Sequence, residues 1–497
     1  MSSSTIALII LSYFVVLIGI SYITGRKADN AAFFLGNRKS PWYIVSFGMI
    51  GASLSGVTFI SVPGWIGDSQ FSYLQMVLGY LLGYFVVANI LMPLYYRLNL
   101  TSIYTYLESR FGFWSYKTGA SFFLISRIIG ASFRLFLVAN VLQITVFDAW
   151  KVPFWATVTI TILLIWLYTF KGGIKTIIWT DSMQTLFMLL AVGFTVYFIS
   201  DSLDLNFKSM VNIIAESDFS KTFFFDDWHD KRYFFKQFFS GAFITIVMTG
   251  LDQDMMQKNL SCKNIREAKK NMYWFSIVLV PVNLLFMSLG VLLFLFASKN
   301  GIPYPSQSDD LFPIIATQGY LGSMVTVFFI LGLIAAAYSS ADSALTALTT
   351  SFTVDILNSK GKNELELKRL RKKVHVFISF VLLAVILIFK VINNQSVISA
   401  LFTVAGYTYG PLLGLYSFGL FTRFSVRDKL VPIVAVLSPI ICVILNYFSE
   451  KWLFGYQFGF ELLILNGLIT FLGLYIIHIR KPSREKKYTF NYKQIIL

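Results

Sequence analysis

The feature that most constrains this chain is a succession of apolar runs long enough to cross a bilayer. The stretch 273–298, for example, contains no Asp, Glu, Lys or Arg. An apolar run of about 18 residues or more reads as a spanning helix. Such runs lie near 4–24, 42–66, 73–96, 118–147, 152–170, 181–201, 234–254, 273–298, 322–357, 374–391, 396–421, 430–448 and 457–478. About 13 spans are therefore expected. In lipid only helices and closed barrels satisfy their own backbone polar groups. The alternating pattern of a barrel strand is absent. Charged residues make up 13% of the chain, against about 25% in soluble domains. The expected fold class is an all-α integral membrane protein, one transmembrane domain over 1–497.

A net charge of +16 invites a nucleic-acid reading, but its placement argues for topology. One alternate set of loops holds "GRKADN", "NRKS", "CKNIREAKKN", "SKGKNELELKRLRKK" and the tail "RKPSREKK". It carries roughly 30 basic residues against about 8 in the other set, which makes it cytoplasmic by the positive-inside rule. The N-terminus is then outside and the C-terminus inside. The first 21 residues lack a basic n-region, which favours a retained first span over a cleaved signal. Cys262 and Cys442 fall in a cytoplasmic loop and a span, a poor setting for a disulfide. The long external loop 202–232 contains "FFFDDWHDKR" and reads as a cap over the outer mouth or a solvated connection. The charged loop 358–373 reads as an exposed cytoplasmic helix.

Two spans look broken. The span 42–66 contains "FGMIGASLSGVTFISVPG", and 234–254 runs into "FSGAFITIVMTGLDQDMMQ". Glycine and hydroxyl residues at mid-membrane weaken a helix, and freed backbone groups there need a cavity or an ion. Close packing through small residues is the competing account, and "GYLLG" at 79–83 fits it. With the span 4–24 set aside as a leading helix, the broken helices are the first and sixth of the core 42–421. That is the spacing of two five-helix inverted repeats. Two trailing helices (430–478) and a tail (479–497) follow.

The run "VTVFFILGLI" leads into "AAAYSSADSALTALTTSFTVDI" (335–356). At 100° per residue, Ala336, Ser339, Asp342, Ser343, Thr346, Thr350 and Thr353 share one stripe, with Ser340 beside it. Hydroxyls often bond back to their own helix or join helices. A carboxylate at that depth instead marks a cavity, an ion or a partner. Hard cations take oxygen ligands. Asp181, in "YTFKGGIKTIIWTDSMQ", opens a span and reads either as a ligand or as a helix N-cap. Arg127 and Arg134 lie within a span, where a guanidinium grips a solute carboxylate or pairs with a protein acid. Tyr407 and Tyr409, beside Gly406, Gly410 and Pro411, suit an outer gate or aromatic packing. The three His are scattered, and no HExxH, GxxxxGK[ST] or CxxC occurs. No enzyme is indicated.

"GGIKTIIWTDSMQ", "GLDQDMMQKNLSCKNIREAKKN" and "GLIAAAYSSADSALTALTTSFTVDI", with "LTSIYTYLESRFG", together resemble the sodium/solute symporter family over about 5–480. The resemblance implies the leucine-transporter fold with an extra leading helix. It implies uptake of a small organic solute by alternating access, driven by inward Na+ as coupling ion. The solute class would be an organic acid, sialic acid or another carbohydrate derivative. The shared sodium site of the family would fall on the carbonyls of Gly51, Leu54 and Ala336 and the hydroxyls of Ser339 and Ser340. Sialic acid transporters in the family carry a second sodium site, matched here by Asp181, Ser339, Asp342 and Ser343. They have serine where this chain has Asp342.

Their solute-touching hydroxyls match Ser53, Ser55 and Thr58, and Gln75 on the next span is a further polar candidate. In these relatives the carboxylate-binding arginine matches Gly130, one turn from Arg134. Sugar transporters of the family have glutamine in place of Thr58 and an aromatic inner gate in place of Met248. Both departures argue against a glucose or galactose site. The partners expected are solute, Na+ and the lipid bilayer, with no nucleic acid and a monomer as the working unit. The location expected is a bacterial inner (plasma) membrane. A Na+-independent or proton-coupled exchanger of the same fold is the alternative. It would lack the Ser339–Ser340 pair or replace it with a cation.

Overall fold

A computed structural model describes residues 3–25, 30–357, 363–392 and 397–482. The basic segments 26–29, 358–362 and 483–497 fall outside the described residues. The principal helices are α1 (Ser3–Gly25), α2 (Trp42–Ser69), α3 (Ser72–Arg97), α4 (Phe113–Phe147), α5 (Phe154–Gly172) and α6 (Ile174–Ser202). The bent pair α7 (Phe234–Gly250) and α8 (Gln253–Leu260) follows, then α9 (Ile265–Lys299), α10 (Gly322–Ile356) and α11 (Glu364–Ile392). A second bent pair, α12 (Val397–Thr408) and α13 (Gly410–Phe421), precedes α14 (Val431–Trp452) and α15 (Leu462–Ile476). Among the described residues nine helices are long and apolar enough to cross a membrane, or up to 11 with the bent pairs. The thirteen expected also require the shorter apolar helices Phe154–Leu167 and Leu462–Ile476.

Both expected breaks are present. In α2 the chain leaves helical geometry at Ser55, with φ 47° and ψ 174°, a conformation costly for a residue with a Cβ. The α7–α8 pair bends by 65° between Gly250 and Asp252. Here the expectation that freed carbonyls serve a cavity or an ion is corrected. Tyr95 and Tyr104 donate their hydroxyls to the carbonyls of Gly250 (2.8 Å) and Leu251 (3.0 Å). Asp252 caps α8, accepting from the backbone amide of Asp254 at 2.9 Å.

Helix α10 packs most extensively on α6, then on α2 and α4. Every residue from Gly332 to Ser351 is buried. The small-residue reading of Gly79 and Gly83 holds, since a Cβ at either would collide with carbonyls of α7. One expectation changes and two features are added. Helix α6 starts at Ile174, seven residues before Asp181, so Asp181 is inside the helix and is no N-cap. The charged stretch after 363 is the first turns of α11, continuous with the span that follows. A short antiparallel pair, β1 (Phe424–Val426) with β2 (His478–Pro482), ties the trailing helices together.

Candidate functional site

Ser339 and Ser340 leave α10 about 100° apart and reach different partners. The Ser340 hydroxyl lies 3.4 Å from the carbonyl of Ala52, just before the break in α2, and 3.4 Å from that of Ala336. The Gly51 amide donates to Thr185 Oγ1 at 3.0 Å, and Thr185 donates to the carbonyl of Asp181 at 2.8 Å. A Cβ at Gly51 would collide with Thr185. Thus α2, α6 and α10 meet where the expected shared sodium site falls. The hydroxyl contact is on Ala52, between the expected Gly51 and Leu54. Weakly engaged carbonyl and hydroxyl oxygens at a helix break are a donor set that suits a hard monovalent cation.

Ser339 turns the other way and donates to Asp181 Oδ1 at 2.8 Å. Asp181 Oδ2 accepts from Lys258 Nζ at 2.7 Å, and both side chains are 1% exposed. Ser343 donates to Asp342 Oδ1 at 3.2 Å, and Asp342 is fully buried. Tyr13 of α1 comes within electrostatic reach of Asp342 and Asp181. The four residues expected to form a second cation site are therefore neighbours, with Lys258 added. In sequence Lys258 stands just before a basic loop, where a lysine reads as a topology charge.

Beside these groups lies a polar-lined cavity between α2, α3, α4, α7, α9 and α12. Ser53, Ser55 and Thr58 of α2, Met248 of α7 and Arg134 of α4 line it. Gln75 does not. Its amide nitrogen donates to the carbonyl of Arg232 (2.8 Å) and its oxygen accepts from the Phe224 amide (3.2 Å). It holds the outer loop in place. The lining tyrosines Tyr73, Tyr80 and Tyr84, and Asn283, escaped sequence reading because each sits in an ordinary amphipathic or apolar pattern.

The two arginines divide their roles. Arg127 pairs with Asp254, and its Nη1 lies 3.7 Å from Asp252 Oδ2. Tyr409 donates to the same Asp252 oxygen at 2.6 Å. Tyr409 is buried in this network and does not line the outer vestibule. This network joins α4, the α12–α13 break and the start of α8 into a floor. Arg134 is 7% exposed and lines the cavity. It has no ion pair or hydrogen bond among the described residues, and its Nε is an orphan donor. Overhead, Phe402 lies between Tyr73 and Phe460, with ring centroids 6.4 and 5.2 Å away. These rings, with Trp65, stand between the cavity and an outer vestibule that Tyr407 lines. Tyr407 accepts there from Asn446 at 3.0 Å.

The chain is similar to known proteins along most of its length. The model of the sodium:solute symporter family matches residues 33–444. A sodium/sialic acid symporter, NanT of Aliivibrio fischeri, is 26% identical over 85% of this chain and 84% of its own length. SiaT of Proteus mirabilis, also a sodium/sialic acid symporter, is 26% identical over 87% and 88%. Human sodium-coupled monocarboxylate transporter 2 is 26% identical over 80% of this chain and 65% of its own. In structure, a Na+-coupled sialic acid symporter in a substrate-bound outward-open state superposes with a TM-score of 0.80 at 19% identity, covering 95% and 97% of the two chains. The symporter Mhp1 shares the fold at a TM-score of 0.55 and 14% identity over 93% and 98%. With 412 of its residues under one family model, this multi-pass membrane protein is a transporter that couples Na+ to an organic solute, and it belongs to the sodium:solute symporter family.

Proposed function

We propose that the chain imports an organic anion together with Na+, the solute carboxylate meeting Arg134. The observation that carries this reading is the buried guanidinium itself. Arg127, two turns away on α4, is neutralised by Asp254 and Asp252, whereas Arg134 faces the cavity without an ion pair or a hydrogen bond among the described residues. Burying an uncompensated charge costs several kcal/mol, and a carboxylate gripped by the guanidinium fork recovers it. The hydroxyls of Ser53, Ser55 and Thr58 and the orphan Oδ1 of Asn283 supply partners for hydroxyl or amide groups on the same solute. The names of several relatives point the same way, since sialic acid and monocarboxylates carry a carboxylate.

Na+ sits between the α2 break and α10, with ligands from Gly51, Ala52 or Leu54, Ala336 and Ser340. Bound there, it holds the break in the conformation that presents Ser53 and Ser55 to the solute. Each ligand then raises the affinity for the other by the same factor. Opening of the floor at Asp252, Arg127 and Tyr409 releases both inward. Met248 lies at that inner side, and Tyr407 in the outer vestibule. The protein works as a monomer in the plasma membrane, N-terminus outside and C-terminus cytoplasmic.

The test is a thermal-shift screen of purified protein against carboxylates, their amides and neutral sugars, with and without Na+. A carboxylate should stabilise only in Na+, its amide should not, and Arg134→Gln should lose the response. Equal stabilisation by acid and amide rejects the role of Arg134.

A further inference from the structure

At Asp181, the second cation position expected from the sequence is already met by a cation that belongs to the chain. Asp181 has both carboxylate oxygens engaged, Oδ1 by the Ser339 hydroxyl at 2.8 Å and Oδ2 by the Lys258 ammonium at 2.7 Å. All eight residues of α8 are buried, so the ammonium is delivered from inside the protein. It comes from the half-helix after the 65° bend to a carboxylate on α6 and a hydroxyl on α10. An alkylammonium and Na+ are both compact, strongly hydrated monovalent cations drawn to carboxylate and hydroxyl oxygens. A carboxylate already facing a full positive charge at contact distance attracts a second one far less, because the two cations repel across the same short distance.

We propose that Lys258 is a tethered cation that takes the place of a second Na+ at Asp181. The chain then carries one Na+ per cycle, at Ser340 and the α2 break. This rests on the Na+ position given under Proposed function. It extends that position by stating what the neighbouring site does. A released Na+ leaves to the cytoplasm, whereas the ammonium returns with the protein.

The experiment counts 22Na+ bound at saturation by the purified full-length protein, with no solute present. The wild type should bind one Na+ per chain, and Ser340→Ala should lose it. Lys258→Met should bind two, and adding Asp181→Asn to that variant should return the count to one. Two Na+ in the wild type, one of them lost with Asp181→Asn, overturns the proposal. So does a folded Lys258→Met protein that still binds one. If Lys258→Met does not fold, the wild-type count decides: one supports the tethered cation, two rejects it. A single Na+ that survives Ser340→Ala and disappears with Asp181→Asn rejects both the tethered cation and the Na+ position on which it rests. A single Na+ that survives both substitutions rejects that position alone.

Discussion

Ser339 and Ser340 are adjacent in sequence yet reach different partners, and the sequence pattern reveals the pair more readily than the division. Two hydroxyls in a helix that is otherwise Ala-rich stand out by residue type alone. Which of them meets α2 and which meets α6 depends on the rotation of α10, and a helix buried on every side carries no amphipathic clue to that rotation. The lower hydroxyls follow the plainer account, since Thr349 and Thr350 bond back to the carbonyls of Leu345 (2.7 Å) and Thr346 (2.8 Å). The division yields separable outcomes. Ser340→Ala should raise the Na+ concentration for half-maximal uptake about tenfold, the equivalent of about 1.4 kcal/mol. It should leave the Na+-free melting temperature nearly unchanged, because its two contacts are long. Ser339→Ala removes a hydrogen bond to a buried carboxylate, worth about 1.5–3 kcal/mol, and should lower the melting temperature with a smaller change in Na+ affinity. Unaltered Na+ dependence of uptake in Ser340→Ala removes that residue from the site.

At the scale of elements, glycine clusters announced both breaks, but the residue that leaves helical geometry in α2 is Ser55. Propensity alone points to its neighbour Gly56. The strand pair at 424–426 and 478–482 was illegible for a different reason: three and five residues are too few to show a period. The outer loop holds another contact that sequence does not show. Asp309, in the segment between α9 and α10, accepts from the Val397 amide at 2.9 Å and so holds the start of α12. Burial, partly offset by that hydrogen bond, raises its carboxyl to about 6. The folded protein therefore binds this proton more tightly than the unfolded chain does, where the value is about 3.9. Stability from this group is present below about pH 4 and is lost as pH rises towards 6, a change of about 3 kcal/mol. The melting temperature should fall by several degrees from pH 4 to 7 through this group. Asp309→Asn keeps an acceptor for Val397 and should flatten that part of the profile. An identical slope in wild type and Asp309→Asn, measured by tryptophan fluorescence, assigns the pH dependence elsewhere.

For the whole molecule, the proposed roles of Arg134, Ser340 and Lys258 predict what a transport cycle moves. On that reading a monovalent anion and one Na+ would enter together with no net charge, and Lys258 would contribute nothing over a full cycle because it returns. Coupling then depends on the Na+ gradient alone. A tenfold gradient is worth about 1.4 kcal/mol, so it supports about tenfold accumulation of the anion. A second transported Na+ would add one net charge per cycle. At 100 mV that is about 2.3 kcal/mol, a further accumulation of about fiftyfold, besides squaring the effect of the gradient. Proteoliposomes separate the two cases. With a K+ diffusion potential set by valinomycin to 100 mV, inside negative, steady-state accumulation of a radiolabelled carboxylate identified by the thermal-shift screen should equal that at zero potential. It should scale with the first power of the Na+ gradient. The Lys258→Met protein, if it transports, should become potential-sensitive and steeper in Na+. Strong potential dependence in the wild type shows a second mobile charge, and the buried ammonium at Asp181 is then a structural ion pair.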